Sequence, residues 1–235
     1  MRSIQKSREP NSLRDLRNTA GAMYSGPQSD WQEALLAEQG HLCAYCMARI
    51  SMERSQEKGA KPKMEIEHFL PQEDYSDQQL VWSNMLAVCN GSTGWKPHCD
   101  KAEGGKNSLG HFIKGKKHGD VTLIRLNPLS TETSEDILIY SLSGEIKSIN
   151  QTAEVEDDLN LRLNLNDERL VQFRKDRIDL AKKVLETKCP NRRWNQRDFD
   201  NEIEIWSTPS EGELKPYYKA IVWFLNWMKQ RPRYN

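Results

Sequence analysis

The stretch from His41 to Lys106 carries side chains that ligate metals and move protons. It opens with Cys43-Ala-Tyr-Cys46, continues through Glu65-Ile-Glu67-His68-Phe-Leu-Pro71 and Trp82-Ser-Asn84, and closes with Cys89 and His98-Cys99-Asp100. Two thiolates on a tight Cys-x-x-Cys turn can grip one side of a zinc ion, and a redox dithiol is the rival reading of a single pair. A second pair downstream favours zinc. The expectation is a structural, tetrahedral ion at Cys43, Cys46, Cys89 and Cys99, with bonds of roughly 2.3 Å. The fifth cysteine, Cys189, stands apart, and an odd count argues against a closed disulfide framework. His98 is open between a place on zinc, a place on a second ion, and a structural or substrate-contacting role.

Between the cysteine pairs lie groups suited to phosphodiester hydrolysis. That reaction needs an activated water, a cation to offset charge on the phosphate, and shielding of the leaving oxygen. His68 is of the type that takes a proton from water near neutral pH. Glu67 and Asp100, the latter brought back by the anchored Cys99, would hold a catalytic ion; oxygen ligands suit Mg2+ or Mn2+. Asn84 would bond the backbone or the ring of His68 and fix its tautomer. Adjacent strand residues point to opposite faces, so Glu67 and His68 act together only where the strand bends or ends, which Pro71 allows.

The elements that must position these groups are legible in part. A helix is predicted after a Ser29 or Asp30 cap, running over 31–39 and stopping at Gly40, which delivers the chain into the first cysteine pair. Residues 64–70 read as a short strand. Residues 121–126 also alternate, and 137–140 with 145–149 read as a hairpin around Ser143-Gly144. From Asn166 the pattern is helical. Asp167 caps a helix with Leu170, Val171, Phe173, Ile178, Leu180, Val184 and Leu185 at helical spacing. A second helix is predicted from Asp198 through Trp206. A last one over 217–229 is apolar nearly all round, fit for the core or for a partner.

With 235 residues, 37% hydrophobic and 29% charged, the chain can bury a core as one large domain or two small ones. No apolar run approaches the roughly 18 residues of a membrane span, so a soluble, cytoplasmic protein is expected. The 34 basic and 34 acidic residues balance. Free-standing DNA-binding domains are usually basic, so a local patch or a partner must hold any nucleic acid. Lys106, Lys114, Lys116 and Lys117 form the best phosphate-facing patch; a solvated loop is the plainer reading.

The Cys-x-x-Cys pair, Ile66-Glu67-His68-Phe69-x-Pro71, an asparagine and a second cysteine pair followed by a ligand residue resemble the HNH endonuclease family. The opening Met1-Arg-Ser-Ile-Gln-Lys6, Leu42-Cys-Ala-Tyr-Cys-Met47 and His98-Cys-Asp100 bring it near the HNH subunits of Septu-type anti-phage systems, some found beside retrons. The resemblance implies an α+β fold with a zinc-stapled ββα-metal core. An HNH nuclease domain over 1–130 would carry the N-terminal arm, and 131–235 the hairpin and mainly helical remainder. His68 would be the general base, with Glu67 and Asp100 on the metal. An ABC-type ATPase, PtuA-like, would be the partner and DNA the substrate. A ribonuclease acting on tRNA and an inactive zinc-stabilised adaptor are the alternatives.

Overall fold

The computed structural model describes residues 1–52, 63–91, 96–106, 109–115, 125–130, 137–190 and 193–231. Most of the strand expected over 121–126, together with Lys116 and Lys117, lies outside them. Helix α1 spans Asn11–Arg17 and α2 spans Ser29–Gln39. Gly40 ends α2 at a left-handed φ of 61°, a conformation that glycine adopts without steric cost. The N-cap is Gln28, not Ser29 or Asp30. Asp30 sits inside the first turn, where the helix dipole favours a carboxylate, and receives a hydrogen bond from Ser12.

Strand β1, Met64–His68, pairs antiparallel with β2, Met85–Cys89, in a register running from Met64↔Cys89 to His68↔Met85. Every residue of β2 is buried. The Gln39 side chain acts as a strand partner for it: Nε2 donates to Ala87 O at 2.7 Å and Oε1 accepts from Ala87 N at 2.8 Å. This bidentate pair fixes α2 against the sheet.

After β2 a ββα core would place a helix. The described residues instead form a single 3-10 turn, Cys99–Lys101, followed by a ribbon of β3, Gly104–Lys106, and β4, Phe112–Lys114. Cys99 has a left-handed φ of 56° and its amide is drawn to Leu163 O at 2.8 Å, while Ala102 is already extended. That geometry turns the chain into a strand.

The expected hairpin is present as β5, Leu138–Tyr140, and β6, Ile146–Ser148. Helix α3, Ala153–Asp157, runs into a π-helical turn, Asp158–Arg162. Asp158 is fully buried; it bonds Arg162 at 2.7 Å and accepts from the Arg125 amide at 2.7 Å. Helix α4, Glu168–Lys188, is capped by Asp167 as expected. Helix α5, Gln196–Ser207, starts one step earlier than expected, with Asn195 as cap and Asp198 completing a capping box. Helix α6, Tyr218–Lys229, packs on α4 and α5 through Ala220, Ile221, Phe224 and Leu225, a core position. One cluster of buried side chains joins these helices to Trp31, Leu42 and Met85, crossing residue 130.

The buried face of α4 differs from its apolar pattern. Leu170, Arg174, Ile178, Ala181 and Leu185 face inward, while Phe173 and Leu180 are 48% and 39% exposed. Arg174 takes a core position because carbonyls there need donors: Nε donates to Gly144 O at 2.5 Å and Nη2 to Leu165 O at 2.9 Å. Burial without a donor would leave both carbonyls unpaid in hydrogen bonds. Arg174→Leu is therefore expected to lower stability by about 3 kcal/mol, read from the urea midpoint. A loss under about 0.5 kcal/mol, the size of an ordinary surface change, would remove this role.

Candidate active site

Four separate chain positions deliver the cysteines. The turn after α2 bends back on itself, with Met47 N on Cys43 O and Cys43 N on Ala48 O, presenting Cys43 and Cys46. Cys89 ends β2, and Cys99 opens the 3-10 turn. Gly91 lets the return loop close: its φ is 54°, and a Cβ there would lie 2.1 Å from His98 O. The sulfurs lie 3.8 Å (Cys43–Cys99), 3.7 Å (Cys46–Cys89) and 3.7 Å (Cys89–Cys99) apart. A tetrahedron with bonds of roughly 2.3 Å has edges of roughly 3.8 Å, so the cage fits zinc. Among the described residues it is the group of metal-ligating side chains whose donor atoms all lie within 4.8 Å of one another, and all four members are buried. His98 is not a member. Its Nδ1 lies 3.2 Å from Cys99 Sγ and 3.9 Å from Cys89 Sγ, beside the cage.

The thiols already share protons unequally. Burial opposes ionisation of Cys43, yet hydrogen bonds from Cys46, Cys89 and Cys99 hold it well below the usual thiol range. Behind the cage, burial draws the Arg174 guanidinium down while Tyr140, Tyr217, Cys46 and Cys99 pull it back up. Zinc with four thiolates carries two net negative charges, and this buried cation opposes them.

The middle of the Cys-x-x-Cys turn holds a residue that spacing did not single out. Tyr45 is fully buried, and its hydroxyl donates to Glu67 Oε1 at 2.9 Å. Burial, then Glu67 and Asp100, push its phenol well above the ordinary range. Both carboxylates thus act on one hydroxyl, which hangs from the cysteine turn. Glu67 is 5% exposed. Asp100 follows Cys99 directly; Lys101 bonds its Oδ2 at 3.3 Å and reaches Glu65 at 2.7 Å. A buried carboxylate and a nearby half-buried one are an oxygen donor set suited to Mg2+ or Mn2+.

His68 leaves the strand on the other side. Its Nε2 lies 2.9 Å from Gln79 O, and Gln72 Nε2 lies 2.9 Å from its Nδ1. A carbonyl only accepts, so the proton sits on Nε2 and Nδ1 is the acceptor. The Tyr24 ring stands edge-on at 4.7 Å. His68 does not join Glu67 and Asp100 in a three-donor cluster. Asn84 bonds the backbone, not the ring: Oδ1 accepts from Leu70 N at 2.7 Å, and Nδ2 donates to Leu70 O at 3.0 Å and Gln78 O at 3.1 Å. It thereby holds the loop that carries the Gln79 carbonyl.

Of the phosphate-facing lysines, Lys106 and Lys114 are exposed on the β3–β4 ribbon, and Lys116 and Lys117 lie outside the described residues. The basic N-terminal residues are used internally. Arg2 bonds Glu38 O, Lys6 bonds Glu38 and Met85 O, and Arg17 pairs with Glu9.

The fold and site define an α+β protein of small antiparallel sheets with a buried four-cysteine metal site. No family model matches the chain. Over 146 residues it is 26% identical to the Septu protein PtuB of Bacillus thuringiensis, covering 56% of this chain and 53% of that protein. The chain spans about half the length of this relative. The match supports a distant PtuB-like relationship. Among the described residues no helix is long and apolar enough to cross a membrane.

Two outcomes follow from the cage. The purified chain is expected to hold about one zinc per molecule by elemental analysis, and Cys99→Ser to lose it together with its cooperative melt. Full metal content in that variant would remove Cys99 from the cage. Tyr45→Phe is expected to keep the zinc but lose about 1 kcal/mol of stability on thermal unfolding, the size of one hydrogen bond. Loss of zinc in this variant would mean that the hydroxyl serves the sulfur cage instead of Glu67.

Proposed function

We propose that the chain is a metal-dependent HNH endonuclease that hydrolyses phosphodiester bonds of DNA. In this reading it is the nuclease subunit of a Septu-type anti-phage complex with an ABC-type, PtuA-like ATPase. Residues 1–130 would form the nuclease domain and 131–235 its hairpin and helical support.

The observation that carries the reading is the split at the end of β1. Glu67 turns to Tyr45 and the Asp100 side, and His68 turns to Gln79 on the other. In-line displacement at phosphorus puts the attacking water and the leaving oxygen on opposite sides. A base and a pair of acid ligands on opposite faces of one strand end suit that geometry better than convergence on one point.

His68 takes the water's proton at Nδ1, since its Nε2 proton is committed to the Gln79 carbonyl. Gln72, now bonded to Nδ1, gives way to the water. Asn84 acts as a positioning residue through the loop at Leu70 and Gln78. Glu67 and Asp100 bind a Mg2+ or Mn2+ ion, which would offset the charge on the phosphate and the leaving oxygen. The sulfur-bound zinc stays structural. The balanced net charge of the chain agrees with a partner that helps to hold the target.

The test is plasmid nicking by the chain together with its ATPase, with Mg2+ or Mn2+. His68→Ala is expected to lose at least about 100-fold in rate, the usual size of a general-base effect. Undiminished nicking would remove His68 as base. Cleaved tRNA beside intact plasmid would favour a ribonuclease. Phage protection unchanged in both His68→Ala and Asp100→Ala would favour an inactive adaptor.

A further inference from the structure

The β3–β4 ribbon leaves the candidate site directly after the Cys99–Lys101 turn, and the chemistry above uses none of its apolar side chains. Its register pairs Gly104 with Lys114, Gly105 with Ile113 and Lys106 with Phe112. Strand side chains alternate between faces. Lys106, Phe112 and Lys114 therefore share one face of the ribbon, and Gly105 and Ile113 the other. The second face is packed: Ile113 is half-buried, and Gly105 lies against Leu161 of the π-helical turn. The first face is open. Both lysines are exposed, and Phe112 is 64% exposed. From Gly104 to Gly115 the sequence contains no acidic residue.

We infer that this face is a DNA contact, in which Lys106 and Lys114 hold backbone phosphates and the Phe112 ring wedges into the base step between them. The identity of the partner rests on the nuclease reading. The physical reason is the mixture itself. Two ammonium groups seek polyanion, and an aromatic ring between them needs apolar surface. In nucleic acid the apolar surface next to phosphate is the face of a base, and inserted Phe or Leu side chains unstack such steps. A two-stranded ribbon also fits the major groove of B-DNA, whereas the deep, narrow groove of A-form RNA excludes it. The ribbon is roughly 10 Å long at the usual strand rise, and its root lies four residues past Asp100. Seating the wedge would therefore set where the duplex lies relative to Glu67 and Asp100.

The test uses the full chain with Ca2+ in place of Mg2+ to suppress cutting, and a duplex carrying 2-aminopurine, which brightens when unstacked. Wild type is expected to brighten the probe. Phe112→Ala should abolish the brightening and weaken binding about tenfold while leaving the salt dependence unchanged. Lys106→Ala and Lys114→Ala should each lower the slope of log affinity against log salt by about 0.9. Phe112→Trp should restore the brightening. If Phe112→Ala binds and brightens like wild type, the wedge is overturned, and plasmid nicking by wild type would still uphold the nuclease. If wild type brightens the probe but the complex never nicks plasmid, the wedge stands and the nuclease reading falls. Tighter, Phe112-dependent binding to an RNA hairpin than to the duplex overturns the assignment to DNA.

Discussion

The whole arrangement depends on four sulfur atoms held 3.7–3.8 Å apart along the measured edges. Four buried thiols at that spacing cannot all ionise without a cation between them, so metal binding and folding of this region are one event. The cage ties the turn after α2, the end of β2 and the turn at Cys99 into a single unit. Tyr45 lies inside the first of these, Asp100 directly follows the last, and Glu67 lies on the strand paired with β2. The spacing of the acid side chains is inherited from the sulfur cage.

On that base, the alternation of a β-strand does something that a flexible loop could not. Glu67 and His68 are neighbours in sequence but are forced to opposite sides of β1. Each then acquires its own support: a buried phenol for the carboxylate, a main-chain carbonyl for the imidazole. The two supports come from distant parts of the chain, Tyr45 and Gln79, which is why the geometry survives only when the loop between Leu70 and Asn84 is closed. Separation of the two groups, rather than their convergence, is the feature that matches in-line chemistry at phosphorus.

Much of this was legible because the signals are local. Gly40 as a helix stop, Asp167 as a cap, the hairpin around Ser143-Gly144 and the four cysteines all act through their own residue type and immediate spacing. The misses share a different origin. Arg174 reads as a solvated position on a helix, and only the carbonyls of Gly144 and Leu165 explain its burial. Tyr45 is hidden in a zinc motif whose middle residues are usually ignored, though an aromatic inside Cys-x-x-Cys just before a Glu-His strand is a signal that could be read. Gln79 contributes a backbone atom, which no residue type announces. The helix expected to follow β2 is replaced by one turn because Cys99 answers to the cage and to Leu163, both remote in sequence.

The most direct measurement is a crystal structure of the chain soaked in Mn2+, with anomalous data collected on both sides of the zinc and manganese edges. Two separate ions are expected: zinc at the centre of Cys43, Cys46, Cys89 and Cys99, and manganese on the carboxylates of Glu67 and Asp100 with the His68 ring on the far side of the strand. A sulfur cage without metal, or manganese that ignores Glu67 and Asp100, would contradict a cage-positioned nuclease centre.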